Sequence, residues 1–331
     1  MSGKPKFAMY WAASCGGCEI AVLNIHEKIL DIDANFEIAF WPVAMDANYK
    51  DVEAMEDGSI FLTFFNGSMR NNENEKIAHL LRRKSKIMVA FGSCAIEGCI
   101  PGLANLFSAN EILDIAFHTI TTDNPINIIP QSTTEVPEGT LTIPTLNSRV
   151  KTLAQVVEVD YFMPGCPPES HQIATVIDLI IEVLHGKANL PPKGSVIGAG
   201  QSTVCDECPR TRNIKLIKTF RRIQEVAPLD PFLCVLEQGV PCNGPATRSG
   251  CDARCPRVGA QCIGCYGPAE GVSDYGARLV SAFASVFEAK EPQEIEAILD
   301  SIPDPTGQFY RFNLANSLLR AGTSNWKKNG Y

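Results

Sequence analysis

Four cysteines far apart in the chain, Cys15, Cys18, Cys94 and Cys166, each stand in a glycine-bearing loop just after an apolar, strand-like run. In an open parallel sheet the carboxyl ends of the strands converge on one crevice, so this placement can bring four distant thiols to one metal centre. The candidate strands are Phe7–Trp11, Phe36–Val43, Ile60–Phe65, Ile87–Phe91 and Val157–Met163. Between them Cys18–Ile32 and Asn72–Lys84 read as helices, and the alternation of strand and helix is that of a parallel α/β sheet. After Pro167 and Pro168, Ile173, Val176, Ile177, Ile180, Ile181 and Leu184 recur at helical spacing, and His185-Gly186 supplies the stop.

The Pro/Gly-rich break that starts at Leu190-Pro191-Pro192 divides the chain into a sheet domain, residues 1–190, and a cysteine-rich, mostly irregular and helical domain, residues 191–331. At 331 residues the chain is long enough for two cores. Before the break, His118–Arg149 is rich in Thr, Pro and Asn and reads as a long insertion. Its isolated Ile128, Ile129, Leu141 and Ile143 favour burial against another subunit, the alternative being a surface excursion on its own domain. In the tail, Ala277–Ala289 and Gln293–Ser301 read as packing helices.

A net charge of -8 argues against nucleic acid as a partner, because such affinity is built on Lys and Arg. The apolar stretch Phe7 to Ala13 is too short for a signal peptide and no run is long enough for a membrane helix, which makes the cytoplasm the expected compartment and metal the expected use of the cysteines.

The chain has 13 cysteines. Iron–sulfur cubanes take four thiolates each, and thirteen is three fours plus one. Trp11-Ala-Ala-Ser-Cys15-Gly-Gly-Cys18 offers two sulfurs to one centre, with glycines that let backbone N–H groups come close; Phe91-Gly-Ser-Cys94-Ala and Pro164-Gly-Cys166-Pro-Pro supply the others. A thioredoxin-like redox pair would account for Cys15 and Cys18 but leave Cys94 and Cys166 unexplained. Cys99, in Glu97-Gly-Cys-Ile, is the odd thiol and is expected to be a small buried apolar residue.

Eight cysteines follow the break: Cys205, Cys208, Cys234, Cys242, Cys251, Cys255, Cys262 and Cys265, two further sets of four. Their pairs at two-residue spacing suit a pair of structural zinc sites as well as they suit iron–sulfur clusters. Arg210, Arg212, Lys215, Lys218, Arg221 and Arg222 fall on one expected helix, whose basic face is either merely solvated or docks an acidic partner.

Taken in order, Cys-Gly-Gly-Cys, Gly-Ser-Cys-Ala, Pro-Gly-Cys-Pro-Pro and Pro241-Cys-Asn-Gly-Pro-Ala-Thr resemble the small subunit of a [NiFe] hydrogenase over nearly the whole chain. Within that family the fully cysteine-ligated second half is most similar to the cytoplasmic, methyl-viologen-reducing, coenzyme F(420)-non-reducing enzymes of methanogens. The deazaflavin-reducing hydrogenases are the nearest relatives that could be confused with them. The resemblance implies a flavodoxin-like first domain and three [4Fe-4S] clusters. A proximal cluster would sit on Cys15, Cys18, Cys94 and Cys166, a distal one on Cys205, Cys208, Cys234 and Cys242, and a medial one on Cys251, Cys255, Cys262 and Cys265. Many relatives carry a histidine where Cys205 stands and a proline where Cys255 stands. The second difference implies a four-iron medial cluster in place of a three-iron one.

Ser14 occupies a position where relatives often have glutamate, and Cys99 one where they often have glycine. No residue here would bind nickel, so the chain would conduct electrons and catalyse no bond chemistry. The implied partners are the [NiFe] hydrogenase large subunit, an iron–sulfur acceptor subunit and the heterodisulfide reductase complex. Two alternatives are weaker on the residues. The quinone-linked relatives of the first domain typically have adjacent cysteines and lack the second domain. A zinc-stabilised binding module would use the cysteines only to hold loops.

Overall fold

The computed structural model describes residues 3–213 and 216–319. Nine strands are present among them: β1 (Lys6–Trp11), β2 (Glu37–Phe40), β3 (Ile60–Asn66), β4 (Met69–Asn71), β5 (Ser85–Phe91), β6 (Thr133–Val136), β7 (Gly139–Thr142), β8 (Leu146–Lys151) and β9 (Tyr161–Met163). Five form a wholly parallel sheet in the order β2-β1-β3-β5-β9. The order reverses between β1 and β3, which makes the crevice beyond their carboxyl ends the place where such a sheet receives a ligand.

Alternation along the strands explains the two faces of the sheet. On one, Phe7 and Met9 of β1 and Phe64 of β3 pack with Val22 and with Ile173, Val176, Ile177 and Ile180. On the other, Ala8, Tyr10 and Phe65 meet Ile77, Leu81 and Met88. The helix Ser170–Leu184 ends at His185 as expected, and Asn72–Lys84 is a helix over those same residues. Asn71 caps the latter by accepting from the Asn74 N–H at 2.8 Å.

The stretch expected to be one helix over Cys18–Ile32 is two, Gly17–Leu23 and Ile29–Asn35, joined by a short 3-10 turn at His26–Lys28. His26 has a φ of 56°, a left-handed conformation that no α-helix continues through. The last sheet strand starts at Tyr161, later than Val157, because Leu153–Gln155 coils into a 3-10 turn capped by Thr152.

The insertion contains a β6–β7 hairpin, and β8 pairs with β4. Ile128, Leu141 and Ile143 lie exposed on this chain. Residues past 190 still touch the sheet: Val196 bridges to Phe162, and Ile197 lies in the first core.

The later part has its own core of Val204, Phe220, Val235, Leu236, Tyr275, Leu279 and Phe283. The tail helices span Tyr275–Ala284 and Pro292–Asp300. The expected basic helix is absent from the described residues. Thr211 N–H donates to Phe232 O at 2.7 Å, Cys234 N–H to Thr211 O at 2.8 Å, and Ile217 N–H to Val286 O at 2.8 Å, so the backbone is engaged in pairing with distant loops and cannot close helical bonds. Lys215 lies outside the described residues. No described helix is long and apolar enough to cross a membrane.

Candidate metal centres

The first set forms where three sheet strands end. The chain leaves β1 through Cys15, turns at Gly16 in a left-handed conformation, and enters the helix that carries Cys18. It leaves β5 through Gly92 into Ser93–Glu97, which carries Cys94, and leaves β9 through Gly165 to Cys166. Gly92 N–H donates to Met163 O and Ser93 N–H to Gly165 O, both at 2.8 Å, so the β5 and β9 loops are tied side by side. A Cβ at Gly92 would lie 2.4 Å from Cys18 Sγ, which is the close approach that requires glycine there. Burial pushes the Cys18 thiol well up, reinforced by Glu19 and by the neighbouring thiols Cys166, Cys15 and Cys99.

Cys99 belongs to this neighbourhood and is not isolated in an apolar core. It is buried, its Sγ lies 3.6 Å from Cys166 Sγ, and its backbone has a φ of 48°. The hydrogen bond with Cys166 lowers the Cys99 thiol, but the bond with Cys94 and burial outweigh it and the net shift is upward.

Cys205, Cys208, Cys234 and Cys242 line one pocket, walled by Val204, Val235 and Leu236. A Cβ at Gly244 would approach Cys205 Sγ to 3.1 Å, so the loop keeps bulk away from the sulfurs. Burial raises Cys205 to about 12 and Cys242 to about 11, opposed at Cys205 by Arg212 and at Cys242 by the backbone N–H groups of Gly244 and Cys262. Arg210, only 7% exposed, donates from Nε to Pro256 O at 2.8 Å and from Nη1 to Leu233 O at 2.9 Å, clamping two cysteine loops together.

Cys251, Cys255, Cys262 and Cys265 lie between these two groups. Cys265 is raised to about 12 by burial, with contributions from Cys251, Cys166 and Cys255. Ser93 Oγ donates to Cys265 O at 2.6 Å, joining this set to the first, and Cys262 N–H donates to Cys242 Sγ at 3.4 Å, joining it to the second.

The donor set is thiolate throughout, the choice of soft metals and of iron–sulfur clusters. Among the described residues no three His, Cys, Asp or Glu side chains gather closely enough to hold a single metal ion. That donor set fits an iron–sulfur cluster.

The family model described as "NADH ubiquinone oxidoreductase, 20 Kd subunit" matches residues 15–180. The chain is 40% identical to the iron-sulfur subunit of the F(420)-non-reducing hydrogenase of Archaeoglobus profundus, over 95% of this chain and 97% of that one. It is 34% identical to the corresponding chain of the F(420)-non-reducing hydrogenase of Methanothermobacter marburgensis, over 96% and 97%. The chain belongs to the [NiFe] hydrogenase small-subunit family.

A recombinant [NiFeSe] hydrogenase of Desulfovibrio vulgaris Hildenborough shares the fold of this small subunit, with a TM-score of 0.52 at 16% identity over 87% of this chain and 99% of that one. Hydrogenase small subunits bind iron–sulfur clusters, transfer electrons and pair with a large subunit, so the chain is part of an oxidoreductase.

Several residues of this small subunit that shape the thiol groups carry no sequence signal of their own. Arg210 reads as part of a basic run, yet it is an internal clamp. The tail reads as packing alone, yet Cys99 N–H donates to Phe312 O at 2.9 Å and Asn316 Nδ2 to Glu97 Oε2 at 3.0 Å. A Cβ at Gly98 would lie 2.4 Å from that of Ala315, so the paired glycines Gly98 and Gly102 are the one local hint of this docking.

Proposed function

We propose that this small subunit holds three [4Fe-4S] clusters and carries electrons from hydrogen oxidation in the large subunit to an iron–sulfur acceptor subunit and on to the heterodisulfide reductase complex, in the cytoplasm. The proximal cluster has Cys15, Cys18, Cys94 and Cys166 as ligands, the medial Cys251, Cys255, Cys262 and Cys265, and the distal Cys205, Cys208, Cys234 and Cys242. The single observation that carries this reading is the pocket that the four cysteines of the distal set line together. When bound, such clusters supply one-electron redox centres whose potentials follow burial and hydrogen bonding.

The chain's own residues do the rest. Apolar walls at Val204, Val235 and Leu236 keep water from the distal thiols, and Arg212 offsets negative charge at Cys205. Ser93 fixes the proximal loop on the medial one, and the Cys262 amide fixes the medial on the distal. Residues 1–190 would carry the proximal cluster and residues 191–331 the other two. Similarity to the F(420)-non-reducing hydrogenases over 95% of the chain favours that branch over a deazaflavin-reducing enzyme. The exposed Ile128, Leu141 and Ile143 of the insertion suit burial against another subunit.

The test uses the anaerobic complex with its large subunit. Hydrogen should bleach the broad visible absorbance of the intact complex. Cys166→Ser should abolish hydrogen-dependent viologen reduction and remove about four of about twelve irons, whereas Cys99→Ser should leave the iron in place. Equal iron loss in the two variants would show the ligand partition to be wrong.

A further inference from the structure

We propose that the Thr247 hydroxyl, supported by Tyr275, donates a hydrogen bond to the Cys262 sulfur and thereby raises the reduction potential of the cluster on Cys251, Cys255, Cys262 and Cys265. This rests on the cluster assignment made above. Thr247, Tyr275 and Cys262 are all buried. Thr247 Oγ1 lies 3.5 Å from Cys262 Sγ, 2.9 Å from Tyr275 Oη and 2.7 Å from the Asn243 carbonyl oxygen.

A hydroxyl has one proton to give and two lone pairs to fill. With Cys262 as a thiol, the sulfur donates to Thr247 and the Thr247 proton turns to the Asn243 carbonyl. A cysteine bound to iron is a thiolate and only accepts. The Thr247 proton is then drawn to the sulfur, because a hydrogen bond to a charged acceptor is roughly twice as strong as a neutral one.

That rotation strands no buried group. The Asn243 carbonyl keeps the N–H groups of Ala246 and Thr247, each at 3.1 Å. Tyr275 Oη is placed to donate into the lone pair of Thr247 that the thiol leaves open, and a donor polarised in this way donates more strongly in turn. Reduction adds negative charge that spreads onto the ligand sulfurs. A side-chain donor there favours the reduced form, and its removal lowers the potential.

The experiment is a redox titration of the anaerobic holocomplex followed by electron paramagnetic resonance, with iron counted in each sample. Thr247→Val should shift the reduction equilibrium of one cluster by about tenfold, a fall of about 59 mV for a one-electron couple, while the other two midpoints stay in place. Thr247→Ser, which keeps the hydroxyl, should restore the original midpoint. Tyr275→Phe should move the same cluster in the same direction by a smaller amount.

Unchanged midpoints in Thr247→Val at full iron content would overturn the proposal, as would equal shifts of all three clusters. If Thr247→Val loses iron, Tyr275→Phe decides: a fall confined to one cluster supports the proposal, and an unchanged midpoint refutes it. An unmutated complex lacking iron would fail separately, by removing the cluster assignment itself.

Discussion

Cys262 donates its backbone N–H to Cys242 Sγ at 3.4 Å, while Asn243 N–H, one residue on from Cys242, returns a bond to Cys262 O at 2.9 Å. Two cysteines that the sequence separates by 20 residues are thus locked together through the backbone beside them. Buried polar groups in such a lock are costly to separate, so the spacing between the two groups is fixed by the backbone and not by side-chain packing alone.

Gly92 sets the equivalent tolerance at the first group. Its φ is 84° and an added Cβ would meet Cys18 Sγ at 2.4 Å. Gly92→Ala should therefore displace Cys18 and cost about 1–3 kcal/mol in backbone strain alone. We expect the variant to lose about four irons per chain and to unfold at lower temperature. Iron analysis and a thermal scan read both effects, and full iron content with unchanged melting would contradict the crowding argument.

Glu97 gives the chain a pH dependence. Burial raises its carboxyl from 4.5 to about 7, against lowering contributions from Asn316 and Arg248. The folded state therefore holds a proton that the unfolded state releases near 4.5. The stability tied to that proton is fully present below about 4.5 and is lost as pH rises through about 7. Glu97→Gln should remove this loss, matching the parent protein at pH 4.5 and exceeding it at pH 8 by about 3 kcal/mol. Unfolding followed at both pH values checks it; a variant destabilised equally at each would mean that the charge is needed.

The parts of this architecture that depend on local pattern were readable from the chain. Continuous apolar runs in Phe7–Trp11 and Ile87–Phe91 mark strands because a parallel sheet covered on both faces buries successive side chains along them. The stripe from Ile173 to Leu184 marks a helix that buries one face. Glycine beside Cys15, Cys94 and Cys166 marks strand-end loops where bulk is excluded.

What could not be read depends on contacts between distant segments. The run from Arg210 to Arg222 has helical composition, but Thr211 pairs with Phe232 and Cys234, and Ile217 with Val286, so tertiary pairing overrides local propensity. Thr247 and Tyr275 are ordinary residues in the sequence and gain meaning only where their hydroxyls meet beside Cys262. Cys99 gave the right burial but hid its neighbours, because its 3.6 Å approach to Cys166 spans 67 residues.

The central claim is that twelve thiolates serve three cubanes, and its most direct test is elemental. Iron, acid-labile sulfide and zinc should be measured per chain in the complex purified without oxygen. The account predicts about twelve irons, about twelve sulfides and no stoichiometric zinc. A colourless protein with about two zinc ions and no sulfide would contradict it.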